Sequence, residues 1–237
     1  MPAPMIPHQF DRLSSVEQHD RADSFYEEMN RRRSVRFFSD EPVSRHLVEQ
    51  AIRTASTAPS GAHRQPWTFV LVGDADLKRQ IKEAAEEEER INYEGGRLPE
   101  HWREALEPLG TDWHKEFLQT VPWIVVMFEQ RYGVGDSGEK QHHFYVKESC
   151  GIAAGIFIAA LHHMGLATLT HTPSPMKFLT NLLGRPVNER PFCMFPIGYP
   201  ADDCTVPDLR RKDLSEVMIE VRSGRNCRHP WTSAAPS

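Results

Sequence analysis

Four short apolar runs, separated by longer stretches with helical periodicity, limit how this chain of 237 residues can fold. The runs lie at 67–72, 124–128, 167–171 and 192–199, and each has the length of one buried β-strand. Strands that alternate with helices predict a layered domain of the α/β or α+β class.

Helical patterns occupy the intervals between the runs. The sequence predicts helices at 22–31, from an N-cap at Ser44 to about 58, at 77–93, at 100–120 and at 144–164. The last of these is the most apolar and is rich in glycine and alanine, which let another backbone approach closely. We therefore expect this helix in a core or at the interface of a homodimer, ended by Gly165.

Composition is that of an ordinary globular protein, with 39% hydrophobic and 26% charged residues. No apolar run approaches the roughly 20 residues that a membrane helix needs. The cysteines lack metal or disulfide spacing, and the adjacent histidines at 142–143 and 162–163 point in different directions on a helix. We expect reduced thiols, no metal, no membrane partner and a cytoplasmic location. We divide the chain into a flexible arm at 1–21, a domain at 22–221 and a tail at 222–237.

Arg32, Arg33, Ser34 and Arg36 form a dense cationic segment directly after the first predicted helix. Guanidinium groups bind dianions through paired, charge-assisted hydrogen bonds, so the segment is a candidate phosphate site. Two other interpretations remain open: arginines that complement the dipole of a helix end, and a nucleic-acid patch. The net charge of -5 argues against nucleic acid as a partner.

A loop of small residues at 58–65 leads directly into the first strand. Ser60, Gly61 and Ala62 leave room for a flat ligand to lie against backbone amides. A phosphate site together with such a loop predicts a phosphorylated, planar cofactor.

Glu89 and Tyr93 are four residues apart in the predicted helix 77–93, so they share one of its faces. On its own, the acidic run at 86–89 is typical of a solvated surface. Lys115 lies beyond a break at 95–99, and it adds an ammonium group to the carboxylate and the phenol. These three groups together can bind an amino-acid zwitterion.

These motifs resemble the nitroreductase-like flavoprotein superfamily and, within it, the iodotyrosine deiodinase family. The resemblance spans residues 22–221. It is carried by RRSVR at 32–36, TAPSGA at 57–62, QPWTFV at 65–70, EEEERINY at 86–93, DWHKEF at 112–117, THTP at 170–173, LLGRP at 182–186 and TVPDLRRK at 205–212. It implies an α+β fold with a mainly antiparallel central sheet flanked by helices, in a homodimer whose terminal arms are exchanged.

The resemblance implies flavin mononucleotide (FMN) as the cofactor. The arginine segment would hold its phosphate and ribityl chain, and the small-residue loop would line its ring. The implied cofactor-binding residues are Arg32, Arg33, Ser34, Val35, Arg36, Ser60, Gly61, Thr170, His171, Thr172 and Arg211. Thr172 is also implied to be catalytic, because its hydroxyl would bond flavin N5 and favour one-electron chemistry over hydride transfer.

The resemblance also implies how a halotyrosine binds. Glu89, Tyr93 and Lys115 would hold its zwitterion from a lid at about 88–116. The backbone amide of Ala62, the second implied catalytic group, would meet the phenolate oxygen.

The implied activity is FMN-dependent reductive dehalogenation of 3-iodotyrosine and related halotyrosines to tyrosine and halide. An external reductant linked to NAD(P)H is expected to reduce the flavin. Two alternatives remain: a general NAD(P)H-dependent nitroreductase or flavin reductase on the same scaffold, and a halotyrosine-binding or FMN-binding sensor that does not turn over.

Overall fold

A computed structural model of the chain describes residues 3–221. Its helices and strands are α1 (Ser15–Arg31), α2 (Arg45–Ala55), β1 (Trp67–Val72), α3 (Ala75–Tyr93), α4 (Glu100–Leu106), α5 (Phe117–Thr120), β2 (Trp123–Gln130), β3 (Tyr132–Val134), β4 (Lys140–His142), α6 (Val146–His163), β5 (Ala167–Thr168), α7 (Lys177–Leu182), β6 (Glu189–Gly198) and α8 (Leu214–Val217). The predicted tail at 222–237 lies outside the described residues.

The chain falls into two compact units, one up to Val206 and one from Pro207 onward. The first unit contains every strand and the helices α1 to α7. The second contains the short helix α8, which begins with a capping box between Asp213 and Glu216. The division of the chain into an arm, a domain and a tail stays a prediction.

Four strands form one antiparallel sheet in the order β1-β2-β6-β5. At its centre, Val126 of β2 lies opposite Val70 on one side and Met194 on the other. β3 and β4 form a separate hairpin, which the sequence analysis did not predict. The sheet and its flanking helices confirm the prediction of an α+β fold with a mainly antiparallel central sheet.

Both faces of the sheet are covered, because successive side chains of a strand point to opposite sides. Ile124, Val126 and Phe128 of β2 pack in one fully buried cluster with residues of α3, α5 and α7. Val125 and Met127 pack in a second cluster with residues of α2 and α6. A strand buried on both faces explains the continuous apolar run of β2, and the sheet is a firm base for the loops at its edges.

Helix α1 begins at Ser15, seven residues before the predicted start, and residues 15–21 of the predicted arm are therefore helical. The cause is a capping box: the Ser14 hydroxyl accepts from the amide of Glu17, and the Glu17 carboxylate accepts from the amide of Ser14. α3 likewise begins early, because the Asp74 carboxylate accepts from the Leu77 amide at 2.8 Å.

The predicted helix at 100–120 is wrong, since the segment is divided. α4 ends at Leu106, and a 3-10 turn at Glu107–Leu109 leads to Gly110, whose φ of 57° is left-handed. Gly110 turns the chain out of the helical path. Residues 111–116 therefore form a loop, and Lys115 belongs to that loop rather than to a helix.

The spacing GxGxxG occurs once, at 133–138, where it joins β3 to β4. A dinucleotide fingerprint needs a helix directly after the glycines, since the helix N-terminus binds the pyrophosphate. A hairpin turn does not provide that helix, so this stretch is not a nucleotide site. Within residues 3–221, no helix is both long enough and apolar enough to span a bilayer.

Candidate functional site

A cavity of about 360 Å³ opens between the end of α3, α4 and the segment that follows β5. Several residues that the sequence predicted separately line it: Arg36, Glu89, Tyr93, Lys115, Thr170, His171 and Thr172. Residues predicted for the cofactor and for the substrate therefore border one space.

Lys115 is buried beside this cavity, with only 3% of its surface exposed. Its Nζ lies 5.8 Å from the centre of the Tyr93 ring and donates to the carbonyl oxygen of Asp112. Its backbone amide donates to the carboxylate of Glu86 at 2.8 Å. The loop that carries Lys115 is thus fastened to α3, and this contact brings the ammonium to the face that Tyr93 occupies.

The acidic run at the end of α3 is not a uniform solvated surface. Glu87 and Glu88 form ion pairs with nearby arginines. Glu86 receives the amide of Lys115, and Glu89 lines the cavity. Each carboxylate has a different environment because four consecutive residues point around the whole circumference of a helix.

Burial raises the pKa of Glu89 and lowers the pKa of Lys115, and each group partly opposes the shift of the other. Burial, and then the charge of Glu89, raise the pKa of Tyr93, which keeps its phenol neutral. The site thus holds opposite charges that have lost part of their hydration. A ligand with its own ammonium and carboxylate would compensate both charges.

An apolar wall faces the same cavity from α4 and the residues before it. Leu98, Trp102 and Leu106 line the cavity at intervals of four residues, and α4 has no buried residue. Trp102 is 52% exposed. This wall was not predicted from the sequence, although the spacing of its members is a helical signal that indicates it.

Hydrogen bonds hold the predicted lid to the rest of the unit. The side-chain amide of Asn92 donates to the carbonyl oxygen of Ser174 at 3.0 Å, and Arg97 donates to the same oxygen at 3.4 Å. Within the lid, the Trp113 indole donates to Glu94 at 3.0 Å. Asn92 was not predicted, and no pattern in the sequence distinguishes it. Movement of the lid stays a prediction.

His171 differs from its two threonine neighbours in burial. It is only 7% exposed, whereas Thr170 and Thr172 are exposed. The His171 ring meets the Phe117 ring edge to face, with 5.6 Å between centres. Among the described residues, its Nε2 is the one buried side-chain nitrogen or oxygen without a hydrogen-bond partner. Burial, and then the cationic side chains near it, lower the pKa of His171 to about 3. The imidazole is therefore neutral, and it lines the cavity together with the two threonines.

Alternate residues of the arginine segment border different spaces. Arg32 and Ser34 line a second hollow of about 300 Å³ against α6, and Arg36 lines the first cavity. Arg33 and Val35 border a third hollow, which Arg32 also touches. An extended backbone directs successive side chains to opposite sides, and this explains the division.

The first and second hollows adjoin, since Leu169 and Thr170 line both. At Gly155, which lines the second hollow, an added Cβ would meet no atom within 4 Å. The joined hollows suit an elongated, flat ligand that carries a phosphate. They have arginine at one end and threonine hydroxyls in the middle, and the surface at Gly155 is open.

The small-residue loop is fixed to the start of α6. The amide of Gly61 donates to the Ser149 hydroxyl at 3.3 Å, and a Cβ on Gly61 would lie 2.4 Å from the carbonyl oxygen of Phe144. Only glycine fits this close approach. Ala62 has a left-handed φ of 50°. In the described part of the chain, Ser60, Gly61 and Ala62 are not among the residues that line the cavity.

Arg211 belongs to the second unit. Its contact with a cofactor phosphate stays a prediction.

Residues 29–199 match the model of the nitroreductase family. The iodotyrosine deiodinase of Haliscomenobacter hydrossis is 48% identical over 214 residues, which cover 90% of this chain and 96% of that protein. The iodotyrosine deiodinase of Danio rerio is 47% identical over 92% of this chain and 74% of its own length. That of Homo sapiens is 45% identical over 91% of this chain and 75% of its own length.

Solved structures show the same similarity. A crystal structure of oxidized iodotyrosine deiodinase bound to FMN and 3-iodo-L-tyrosine superposes with a TM-score of 0.72 at 28% identity. The match covers 85% of this chain and 100% of that one. A nitroreductase with bound FMN from Bacteroides fragilis shares the fold, with a TM-score of 0.60 at 18% identity, over 83% of this chain and 98% of that one.

Proposed function

The chain belongs to the nitroreductase family, and from this premise we propose that it is an FMN-dependent enzyme that removes halogen reductively from 3-iodotyrosine and related halotyrosines. One observation carries the proposal. Glu89, Tyr93 and Lys115 border the same cavity as Thr170 and Thr172. Groups suited to a zwitterion therefore lie beside groups suited to a flavin.

The residues of this chain fit FMN. Arg32 and Ser34 would hold the phosphate and the ribityl chain, and Thr170 and Thr172 would contact the ring. When bound, FMN supplies the two electrons that dehalogenation consumes. With these electrons and one proton, the carbon–halogen bond breaks, a carbon–hydrogen bond forms, and the halide leaves.

The zwitterion of the substrate would be held by three side chains of the lid. The Lys115 ammonium donates to the substrate carboxylate, and the Glu89 carboxylate accepts from the substrate ammonium. The neutral Tyr93 phenol can donate a further hydrogen bond. Since all three groups are partly desolvated, these contacts are stronger than the same contacts in water. They select an amino acid over a simple halophenol.

The apolar wall would cover the aromatic ring of the substrate. Leu98, Trp102 and Leu106 line the cavity, and Trp102 has the largest side chain of the three and is 52% exposed. A ring with a large, polarisable halogen buries this surface, and it also excludes water from the cavity.

We propose a homodimer in which the loop at 60–62 of one subunit completes the cavity of the other. The outer face of α6 supports this, because Gly151, Ile152 and Gly155 leave apolar surface exposed, with Ile152 46% exposed. In such a dimer the Ala62 amide would donate to the phenolate oxygen, and Thr172 would donate to the cofactor. Light scattering would measure the mass, and a fully active monomer would contradict the dimer.

The electron donor and the location are further proposals. We infer an external reductant linked to NAD(P)H, as expected from the sequence. A cytoplasmic location is supported by the unpaired thiols of Cys150, Cys193 and Cys204.

Anaerobic reduction of the flavin, followed by addition of 3-iodotyrosine, tests the activity. We expect the absorbance of oxidised flavin to return as one iodide is released per flavin, while tyrosine, which lacks a halogen, leaves the flavin reduced. Binding without reoxidation would support the sensor alternative. Reoxidation by nitroaromatics but not by halotyrosines would support a general nitroreductase.

A further inference from the structure

The adjacent histidines near the end of α6 both bind one residue of α1. His162 Nε2–H donates to the carbonyl oxygen of Glu28 at 2.8 Å, and His163 Nδ1–H donates to the carboxylate of Glu28 at 2.8 Å. Neighbouring side chains on a helix point about 100° apart, so the pair cannot easily bind one metal ion. It holds Glu28 by its backbone and its side chain instead.

The bond from His162 occupies a carbonyl that the helix itself leaves open. α1 ends at Arg31, and the amide of Arg32 donates to the carbonyl of Met29 at 3.2 Å rather than to that of Glu28. The last carbonyls of a helix need partners from outside it. His162 supplies one of them, and α1 has no buried residue to fix its end by apolar packing.

A second attachment follows shortly after Arg32. The amide of Val35 donates to the carbonyl of Thr168 at 3.3 Å, where Ser34 forms a bridge with the same residue. The short segment from Arg32 to Ser34 is therefore fixed at both ends. The histidine pair holds Glu28 before it, and Thr168 binds its end at Ser34.

We propose that His162 and His163 are positioning residues for the cofactor-binding segment, since they set where Arg32 and Ser34 stand over the hollow against α6. The inference rests on the proposed function, because it concerns the FMN phosphate. The two histidines contribute unequally. The His163 side chain is 74% exposed, and water screens its contact with the Glu28 carboxylate. The bond from His162 is partly buried, so it carries the larger share.

Equilibrium binding of FMN, measured by quenching of flavin fluorescence, tests the inference. His162→Leu should raise the dissociation constant of FMN about five- to tenfold, as expected for a lost, partly buried hydrogen bond. His163→Leu should raise it less than about twofold. His19→Leu is the matched control. His19 lies on α1, the helix that carries Glu28, and its ring bonds the carbonyl oxygen of Ser15 in the first turn of that helix, at the end opposite to the arginines.

A conservative pair of variants separates positioning from folding. The side-chain amide introduced by His162→Gln can reach the Glu28 carbonyl, whereas the shorter side chain introduced by His162→Asn cannot. We expect near-parental FMN affinity for His162→Gln and weakened affinity for His162→Asn, with the KM for 3-iodotyrosine unchanged at saturating FMN. This pair decides the matter if His162→Leu does not fold. Equal FMN affinity in both variants would overturn the inference, as would a loss of thermal stability with no change in FMN affinity. A parental protein that binds no FMN would instead refute the proposed function.

Discussion

Replacing Lys115 with methionine removes the cation of the zwitterion site but keeps a side chain of similar length. Lys115 is 3% exposed, and Glu89 opposes the lowering of its pKa, so the two charges interact in a poorly screened environment. The substrate carboxylate would pair with Lys115 in this same environment, and loss of one partner from such a desolvated pair costs about 2–5 kcal/mol of binding free energy. At about 1.4 kcal/mol for each factor of ten, Lys115→Met should weaken 3-iodotyrosine binding roughly 30-fold or more.

Titration of the FMN-loaded protein with 3-iodotyrosine, followed by flavin fluorescence, measures this loss. FMN content should not fall, because Lys115 is assigned to the substrate and not to the cofactor. The melting temperature should fall, since removal of Lys115 leaves the partly buried Glu89 without its opposite charge. Lys140→Met, an exposed lysine of β4, is the control and should bind like the parent. 2-Iodophenol lacks the zwitterion, so it should bind weakly and equally to both variants and to the parent. The reasoning is refuted if Lys115→Met binds 3-iodotyrosine within about twofold of the parental affinity.

Three more outcomes follow from the site. Trp102→Ala should raise the KM for 3-iodotyrosine in a steady-state assay and leave the FMN affinity unchanged in a binding assay. His101→Ala, at an exposed neighbour on α4, is the control and should change neither quantity. Gly61→Ala forces a methyl group against a backbone oxygen at 2.4 Å, so it should lower the melting temperature by several degrees in calorimetry, and an unchanged melting temperature would contradict this close approach. Halotyrosine affinity should fall as the pH drops through the raised pKa of Glu89, because the acid form loses its charge, and again as the pH rises through the lowered pKa of Lys115. Calorimetric titration across pH measures this profile, and a Glu89→Gln variant whose affinity equals that of the parent at every pH would contradict the role of Glu89.

The parts of the fold that local pattern determines were predictable. β2 was recognisable because a strand buried on both faces has to be apolar throughout, and the helix of α3 places Glu89 and Tyr93 on one face by its geometry alone. The capping box that starts α1 is also visible in the sequence as serine followed three residues later by glutamate, although the prediction missed it.

The parts that depend on distant contacts were not predictable. Lys115 reaches the cavity because its amide bonds Glu86, which lies 29 residues earlier, and no local pattern records that bond. The division of the arginine segment between hollows likewise depends on the bridge from Ser34 to Thr168. The burial of His171 also depends on a distant contact, its packing against Phe117, and its contact with the cofactor stays a prediction.

Side chains of the arginine segment point alternately to two sides, so the number of residues in the segment decides which side chains face the hollow against α6. With Ser34 bridged to Thr168 and α1 held at Glu28, one residue inserted between Arg33 and Ser34 would exchange the two sides of the segment. Arg33 would then turn toward the hollow against α6, and Arg32 would turn away from it. In chains that keep this site, gaps should therefore be absent from the stretch between Glu28 and Ser34, whereas the hairpin turn at 135–139 should tolerate them.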